Sequence, residues 1–535
     1  MRKNILYISN GSTIGGAENS LLDMLKGVRW YVRPVVIIPQ KGMIEDRLIE
    51  LGIKYYIVRF YNGYGKIGSA NREIADRNLV DNYHAAEQLQ CIIKDEDIQL
   101  IHINSSVSNV GALAALMADI PYVWHIREFL EEDFSSQFWD VELKQKLFKN
   151  AGAVISISAS VKESYKSKYD LDTIHIYNGL DIEKYWENQL ELYNSQVNRF
   201  IITGMITSNK GQWDAVRAVK ILVEDNEKVH LTIIGRSTDR MQWVIKRFIE
   251  ANRLEEYISV VPYKTDLAEY RKQCQYSLTT SKAEALGRGT IEAMLAGNIV
   301  IGADTAGTKE IIGTDESRGY LYQQGNPYDL AKVIKKAINA SDDKKNVIRK
   351  TAQEYAKNIF SLESYVDKIC ELYESVISNH DINFSEKLLG DIRRRFDEVS
   401  RTQDLTEPTI NRVGPYQDVM KKWNLLLERN RDFKDFFKQH NYKRIGIYGM
   451  GNLGCKLYDE LVTVAVDVVY VVDQNPEGLM EWVEVKRPDE ELKDIDVLVI
   501  TVINEEMKLI HYYKNKLIAD VVGISEVIDW LVAKE

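Results

Sequence analysis

The sequence predicts an α/β protein: two tandem doubly wound domains, a helical linker and a third, small Rossmann-like α/β domain. Three observations predict it. Short apolar runs alternate with helical patterns over residues 1–180, a second such series begins near residue 199, and a third opens at Lys443. Near-continuous apolar strands alternating with helices mean parallel sheets covered on both faces.

In the first domain NILYIS (4–9), PVVIIP (34–39), IQLIHI (98–103), PYVWHI (121–126), GAVISIS (152–158) and TIHIYN (173–178) read as strands. Helical patterns fill 17–28 and 109–118. In the second, strands are expected at 199–205, 228–235, 257–263, 276–281 and 297–304, and SLESYVDKICELYESVI (361–377) is a closing helix. The expected boundaries are 1–185, 186–360, a closing helix at 361–380 that packs back on the first domain, a linker at 381–440 and an accessory domain at 441–535. Doubly wound sheets place ligands at the carboxyl ends of their strands, so a cleft is expected there. The linker is charged and mostly helical, with a break at 407–415. Its Arg393–Arg394–Arg395 run reads as a solvated helix face.

The composition, 45% hydrophobic and 28% charged, is that of a soluble globular protein. A net charge of −10 argues against a nucleic-acid partner. Cys91, Cys274, Cys370 and Cys455 are scattered, which fits reduced thiols in the cytoplasm and no zinc site. The amino-terminal MRKNILYISNG does not read as a signal peptide. No apolar run approaches the ~20 residues that span a bilayer. The expected location is cytoplasmic, with peripheral contact at the inner face of the cell membrane.

Residues 281–297, SKAEALGRGTIEAMLAG, carry most of the chemistry. A strand leads into a loop and then a helix. Gly287 and Gly289 admit a ligand close to the backbone. The first-turn N–H groups suit phosphate. Glu284 and Glu292 suit hydroxyls, because carboxylates repel phosphate. A site for phosphates together with hydroxyls is a site for a sugar nucleotide. Gly15 and Gly16 open a helix after the first strand, with N–H groups for a diphosphate or an acceptor oxygen, or simply a tight turn. His125 ends another strand, where an imidazole donates to a sugar hydroxyl or a phosphate oxygen. Arg127 and Glu128 beside it read as a pair. Lys210 follows a strand and loop, where a point charge neutralises phosphate. Glu310 stands at a further helix start.

These segments resemble glycosyltransferase family 4, retaining enzymes of the GT-B fold. The resemblance rests on GGAE (15–18), HIRE (125–128), YNGLD (177–181), G-M-I-x-x-x-K-G (204–211), the E-x7-E block from Glu284 to Glu292, and AGTKEII (306–312), in family order over about 1–378. It implies that Glu284 holds donor-sugar hydroxyls and Glu292 the ribose. It places Lys210 on the diphosphate, His125 and Glu310 near the donor, and Gly15 and Gly16 at the diphosphate or acceptor. It also implies retention of configuration, a nucleotide-sugar donor, and a glycan, lipid-linked or protein acceptor in surface polysaccharide or glycoconjugate synthesis. The family arginine after Gly204 is replaced by Met205, and Arg288 is expected to supply the missing charge. The expected catalytic set is His125, Lys210, Glu284 and Arg288. Gly15, Gly16, Gly204, Gly287, Gly289, Glu292 and Glu310 join Lys210 and Arg288 in donor binding. No metal or other cofactor is expected for transfer. An epimerase or phosphorylase on the same fold, or a non-catalytic scaffold, are the competing readings.

In the third domain Gly449, Gly451 and Gly454 form G-x-G-x-x-G between a strand and a helix, and Asp473 ends the next strand. This is the context of a dinucleotide fingerprint, so NAD or another nucleotide is a candidate ligand there. Homo-oligomerisation through this domain is the alternative.

Overall fold

The computed structural model describes residues 2–68, 72–187, 196–237, 240–264, 266–380, 385–402, 418–420, 422–423, 425–426, 431–462, 466–474 and 483–533. The expected break at 407–415 lies outside them. The chain forms two compact units. One comprises 1–202, 209–229 and 265–404, and the other 203–208, 230–264 and 405–535.

The first unit begins with β1 (Lys3–Ser9), β2 (Val32–Ile38), β3 (Lys54–Ile57), β4 (Tyr64–Lys66), β5 (Leu100–Asn104), β6 (Tyr122–Ile126), β7 (Ser136–Phe138), β8 (Ala153–Ser156) and β9 (Ile174–His175). Seven of these form a parallel sheet in the order β3-β2-β1-β5-β6-β8-β9. Every residue of β5 and β6 is buried, as two covered faces require. Strand order reverses between β1 and β5, so the loops after these strands flank a ready-made crevice.

The second series supplies β10 (Asn198–Thr203), β11 (Val229–Ile234), β12 (Ile258–Val261), β13 (Tyr276–Thr279), β14 (Ile299–Ala303) and β15 (Gly319–Tyr322). In the first unit β10, β13, β14 and β15 are parallel neighbours in that order. In the second unit β11 pairs in parallel with β12. That unit also holds β16 (Arg444–Tyr448), β17 (Asp467–Val472), β18 (Glu484–Lys486), β19 (Val497–Ile500) and β20 (Asp520–Gly523). They form a parallel sheet in the order β18-β17-β16-β19-β20.

The helix Leu362–Ser378 returns to the first sheet. Its Tyr365, Val366, Ile369, Tyr373 and Val376 share a core with Ile5, Tyr7, Leu21, Leu25, Val36 and Ile38. Glycines let it approach. A Cβ on Gly27 would lie 2.3 Å from Val366 Cγ2, and one on Gly152 2.5 Å from Val376 Cγ1.

Three parallel edge strands were not expected, because β3, β15 and β18 are short and mix polar with apolar residues. The segments around 62–73 and 129–140 contribute β4 and β7, which pair antiparallel. The Arg393–Arg395 run is not a solvated face. Arg395 forms ion pairs with Asp76 and Asp140, Arg393 Nε donates to Tyr83 Oη at 3.2 Å, and Phe396 stacks on Tyr83. Among these arginines Arg394 keeps the exposed position, paired with Asp391. Among the described residues no helix is long and apolar enough to cross a membrane.

The helix contact at Gly27 makes a test. Gly27→Ala overpacks it and should cost about 1–3 kcal/mol in denaturant unfolding. Val366→Ala in the same chain should recover most of that loss.

Candidate active site

The helix Arg288–Leu295 starts where the sequence places it, after Gly287 in the left-handed region (φ 89°). Ile291, Met294 and Leu295 are fully buried, which fixes the helix against the sheet. Gly289 lies in its first turn. Glu284, in the preceding loop, accepts from Lys210 Nζ at 2.8 Å and from Ser281 Oγ at 2.6 Å. Lys210 reaches it because Gly211 (φ 67°) brings the backbone onto β13: a Cβ there would lie 1.9 Å from Thr280 O. Burial works against the Lys210 charge, and the carboxylates of Glu284 and Asp133 more than offset it, holding its pKa above the usual lysine value.

Glu292 is enclosed by two guanidiniums. Arg271 Nη2 lies 2.8 Å from one oxygen and Arg288 Nε 2.8 Å from the other. Burial alone would raise its pKa, but the two cations bring it below the ordinary value. Arg288 is engaged as well: Nη2 lies 2.7 Å from Asp23 Oδ2 and 3.2 Å from Tyr185 Oη. Its Nη1 is buried with no hydrogen-bond partner. Arg288, expected to stand in for an arginine at Met205, thus bridges two carboxylates and keeps one terminal nitrogen open.

Glu310 caps a helix. Its carboxylate accepts from Ala159 N at 3.0 Å, Ser160 N at 3.1 Å and Tyr177 Oη at 2.5 Å. These donors come from the first turn of the helix Ala159–Tyr169 and from the YNGLD segment. An acidic side chain at a helix N-terminus satisfies free N–H groups and complements the helix dipole.

In the first glycine loop, Gly15 N donates to Glu18 Oε2 at 3.1 Å. A buried carboxylate therefore occupies this helix start, and burial raises its pKa. Gly16 has open space around its Cα.

His125 is fully buried. Tyr373 donates to Tyr7 Oη at 3.2 Å, so the Tyr373 oxygen accepts from His102 Nδ1 at 2.8 Å. His102 Nε2 is then the acceptor for His125 Nδ1–H at 3.3 Å. This chain leaves His125 Nε2 with a lone pair, buried and without a partner. Burial, then the Arg127 charge, pushes both imidazoles well below the ordinary value, so both are neutral. In this tautomer His125 Nε2 is able to accept a hydrogen bond and has no hydrogen to donate. Arg127 and Glu128 do not pair. Arg127 donates to Asn178 Oδ1 at 2.6 Å and also to Asn104, while Glu128 accepts from Ser106 N at 2.7 Å.

Asp133, Asp23, Arg271 and Tyr185 were not singled out in the sequence, and Tyr177 entered only as the first residue of YNGLD. Asp133 lies in the 129–140 segment, and its carbonyl accepts from Asn209 Nδ2 at 2.7 Å, next to Lys210. Burial pushes its carboxyl up to about 7, with Lys210 opposing. The run of acids in FLEEDF was the available signal, but nothing there distinguishes Asp133 from Glu131 or Glu132.

In the second unit, Gly204 (φ 135°) approaches Gly235 closely: a Cβ on Gly235 would lie 1.8 Å from Gly204 O. Met205 beside it is 41% exposed. At the accessory fingerprint Gly449 is left-handed (φ 93°), and a Cβ on Gly454 would lie 1.9 Å from Gly449 O. Gly451 has open space around it. The turn is therefore tight at Gly449 and Gly454 and uncovered at Gly451. Asp473, the ribose-type acid, accepts from Met450 N at 2.8 Å and lies 3.7 Å from Arg240 Nη1.

Two outcomes check this geometry. Tyr373→Phe frees the His125 tautomer and should raise donor KM roughly three- to tenfold with the fold intact, in steady-state kinetics with circular dichroism. Asp133 is held protonated above its unfolded pKa of ~3.9. The stability this confers is present below that pH and is lost as pH rises through about 7. Asp133→Asn should flatten the fall in melting temperature between acidic and neutral pH.

Residues 14–184 match the family model of Glycosyltransferase Family 4, and residues 187–355 match that of Glycosyl transferases group 1. An uncharacterized glycosyltransferase of Methanocaldococcus jannaschii, MJ1069, is 23% identical over 262 residues, which is 46% of this chain and 66% of that protein. The UDP-Gal:alpha-D-GlcNAc-diphosphoundecaprenol alpha-1,3-galactosyltransferase of Escherichia coli is 22% identical over 326 residues, 56% of this chain and 82% of that protein. Among solved structures, Anabaena Alr3699/HepE in complex with UDP and glucose superposes with a TM-score of 0.58 at 23% identity, covering 69% of this chain and 99% of that one. Over residues 14–355 the chain belongs to the family 4 glycosyltransferases of the GT-B fold.

Proposed function

We propose that this protein moves a sugar from a nucleotide-sugar donor to a hydroxyl of a glycan, lipid-linked or protein acceptor, with retention, in the synthesis of a surface polysaccharide or glycoconjugate. The observation that carries this reading is the 2.8 Å contact between Lys210 and Glu284, residues from separate loops, beside the helix start at Gly287. It sets a cation for phosphate and a carboxylate for hydroxyls side by side. Two of the similar proteins support the donor class: one is named for UDP-Gal and another is solved with UDP and glucose.

In this reading Glu284 accepts from donor-sugar hydroxyls and His125 Nε2 from another. Glu292, held by two cations, accepts from the ribose with its remaining lone pairs. As the anomeric C–O bond breaks, negative charge grows on the departing diphosphate. Lys210, the open Nη1 of Arg288 and the N–H groups around Gly287 and Gly289 stabilise that charge where it develops. The departing phosphate oxygen takes the acceptor proton on the same face, which gives retention. Gly15 and Gly16 serve the acceptor side, because Glu18 repels a diphosphate there. Glu310 links two segments and is assigned to their closure. The accessory domain is assigned a structural role, because Met450 and Arg240 engage Asp473. No metal or other cofactor is assigned to the transfer.

Donor hydrolysis across UDP-, GDP- and dTDP-sugars tests the reading, with free nucleotide as the readout. One donor class should turn over. Glu284→Gln should lose about 1.5–3 kcal/mol of donor interaction, a roughly ten- to hundredfold fall in kcat/KM. Unchanged turnover and donor affinity in that variant would sink the assignment.

A further inference from the structure

The first sheet has a second end. Its strands are parallel, so the amino ends of β1, β2 and β3 lie opposite the ends that carry the candidate active site. At this basal end a cavity of about 490 Å³ is lined by Arg2, Arg29, Arg33 and Lys54, with Trp30 and Asn4 among its other walls. No carboxylate lines it.

Its cations are only partly satisfied. Arg29 gives Nη1 to Leu51 O at 2.9 Å, while its Nε is buried with no hydrogen-bond partner. Arg2 reaches only the Arg29 carbonyl at 3.4 Å, an exposed contact. Arg33 and Lys54 share one carboxylate, Glu96, which stands outside the lining. Two of the four cations thus share one carboxylate, and among the described residues Arg2 and Arg29 form no ion pair, on a chain whose net charge is −10. Trp30 of the lining is 64% exposed. Tyr31, its neighbour in the chain, is 56% exposed, and Ile49, two residues before Leu51 of the lining, 60%. The Arg29 guanidinium lies over the Trp30 ring at 4.9 Å.

We propose that this basal pocket seats the phosphate of an anionic phospholipid, with Trp30, Tyr31 and Ile49 entering the interface of the bilayer. Exposed aromatic rings are stable at headgroup level, where one edge is apolar and the other wet. Clustered Lys and Arg add electrostatic attraction to anionic lipid. A free phosphate would use the same cations but gain nothing from the aromatic rim. This inference stands apart from the proposed function: the bilayer contact lies at the end of the sheet opposite the candidate active site.

The full-length chain is tested by co-sedimentation with phosphatidylcholine vesicles, with and without phosphatidylglycerol. Binding should require the anionic lipid and weaken as salt is raised. Arg29→Gln with Arg33→Gln should lower it roughly tenfold or more. Arg2→Gln with Trp30→Ala, both at exposed positions, should also lower it and guards against misfolding of the first pair. Donor hydrolysis should be unchanged in both, so loss of vesicle binding is separable from failure of the proposed transfer. Equal binding to neutral and anionic vesicles, or undiminished binding by both variants, overturns the proposal. So does calorimetric binding of inorganic phosphate without vesicle binding, which would make this a site for a free anion.

Discussion

Four alternating charges hold the candidate active site together. Asp23, Arg288, Glu292 and Arg271 form a row in which each neighbouring pair is 2.7–2.8 Å apart. Asp23 is 6% exposed and Arg271 3%. Ions this far from water are tolerated only with close partners, and removing one strands the others. The row therefore requires the helix Gly16–Val28 of the first sheet to meet the helix Arg288–Leu295 in one register. That register sets Gly287 at the ligand end and places the Glu284 loop beside Lys210. Tyr185 adds a hydroxyl to the same guanidinium.

The two helix starts at the site differ electrically. At Gly15 the buried Glu18 carboxylate already occupies the free N–H. At Gly287 Lys210 stands nearby, its charge opposed by burial and upheld by the carboxylates of Glu284 and Asp133. One start has spent its capacity for an anion; the other retains it. In the proposed function this asymmetry assigns the departing diphosphate to the Gly287 end and the acceptor hydroxyl to the Gly15 end.

Much of this was legible in the sequence because it is local. The β5 and β6 strands are near-continuous apolar runs, and Gly287 precedes a helix whose apolar spacing is regular. Glu284 and Lys210 could be named from their loops. Their contact could not, since it depends on the close passage of Gly211 over Thr280. The helix start at Glu310 was visible in the sequence, while the facing helix at Ala159, whose N–H groups it accepts from, was not. The same limit hid Asp23 and Arg271, ordinary charged residues on helix patterns until packing brings them to Arg288 and Glu292. His125 was found by position, but its tautomer depends on Tyr373, nearly 250 residues away. The edge strands β3 and β18 escaped because water or charge takes the place of apolar neighbours.

The helix Leu362–Ser378 has a consequence for synthesis. It inserts five side chains into the core of the first sheet, although the whole second series of strands lies between them in the chain. A ribosome delivers Ile5, Tyr7 and Leu21 long before it delivers Tyr365 and Tyr373. Until then one face of the early sheet lacks its cover, and Gly27 and Gly152 line an open groove. The nascent first half is therefore an incomplete folding unit. Its completion is postponed until translation has passed residue 378, which couples maturation of the sheet to synthesis of the segment that carries Glu284 and Glu292.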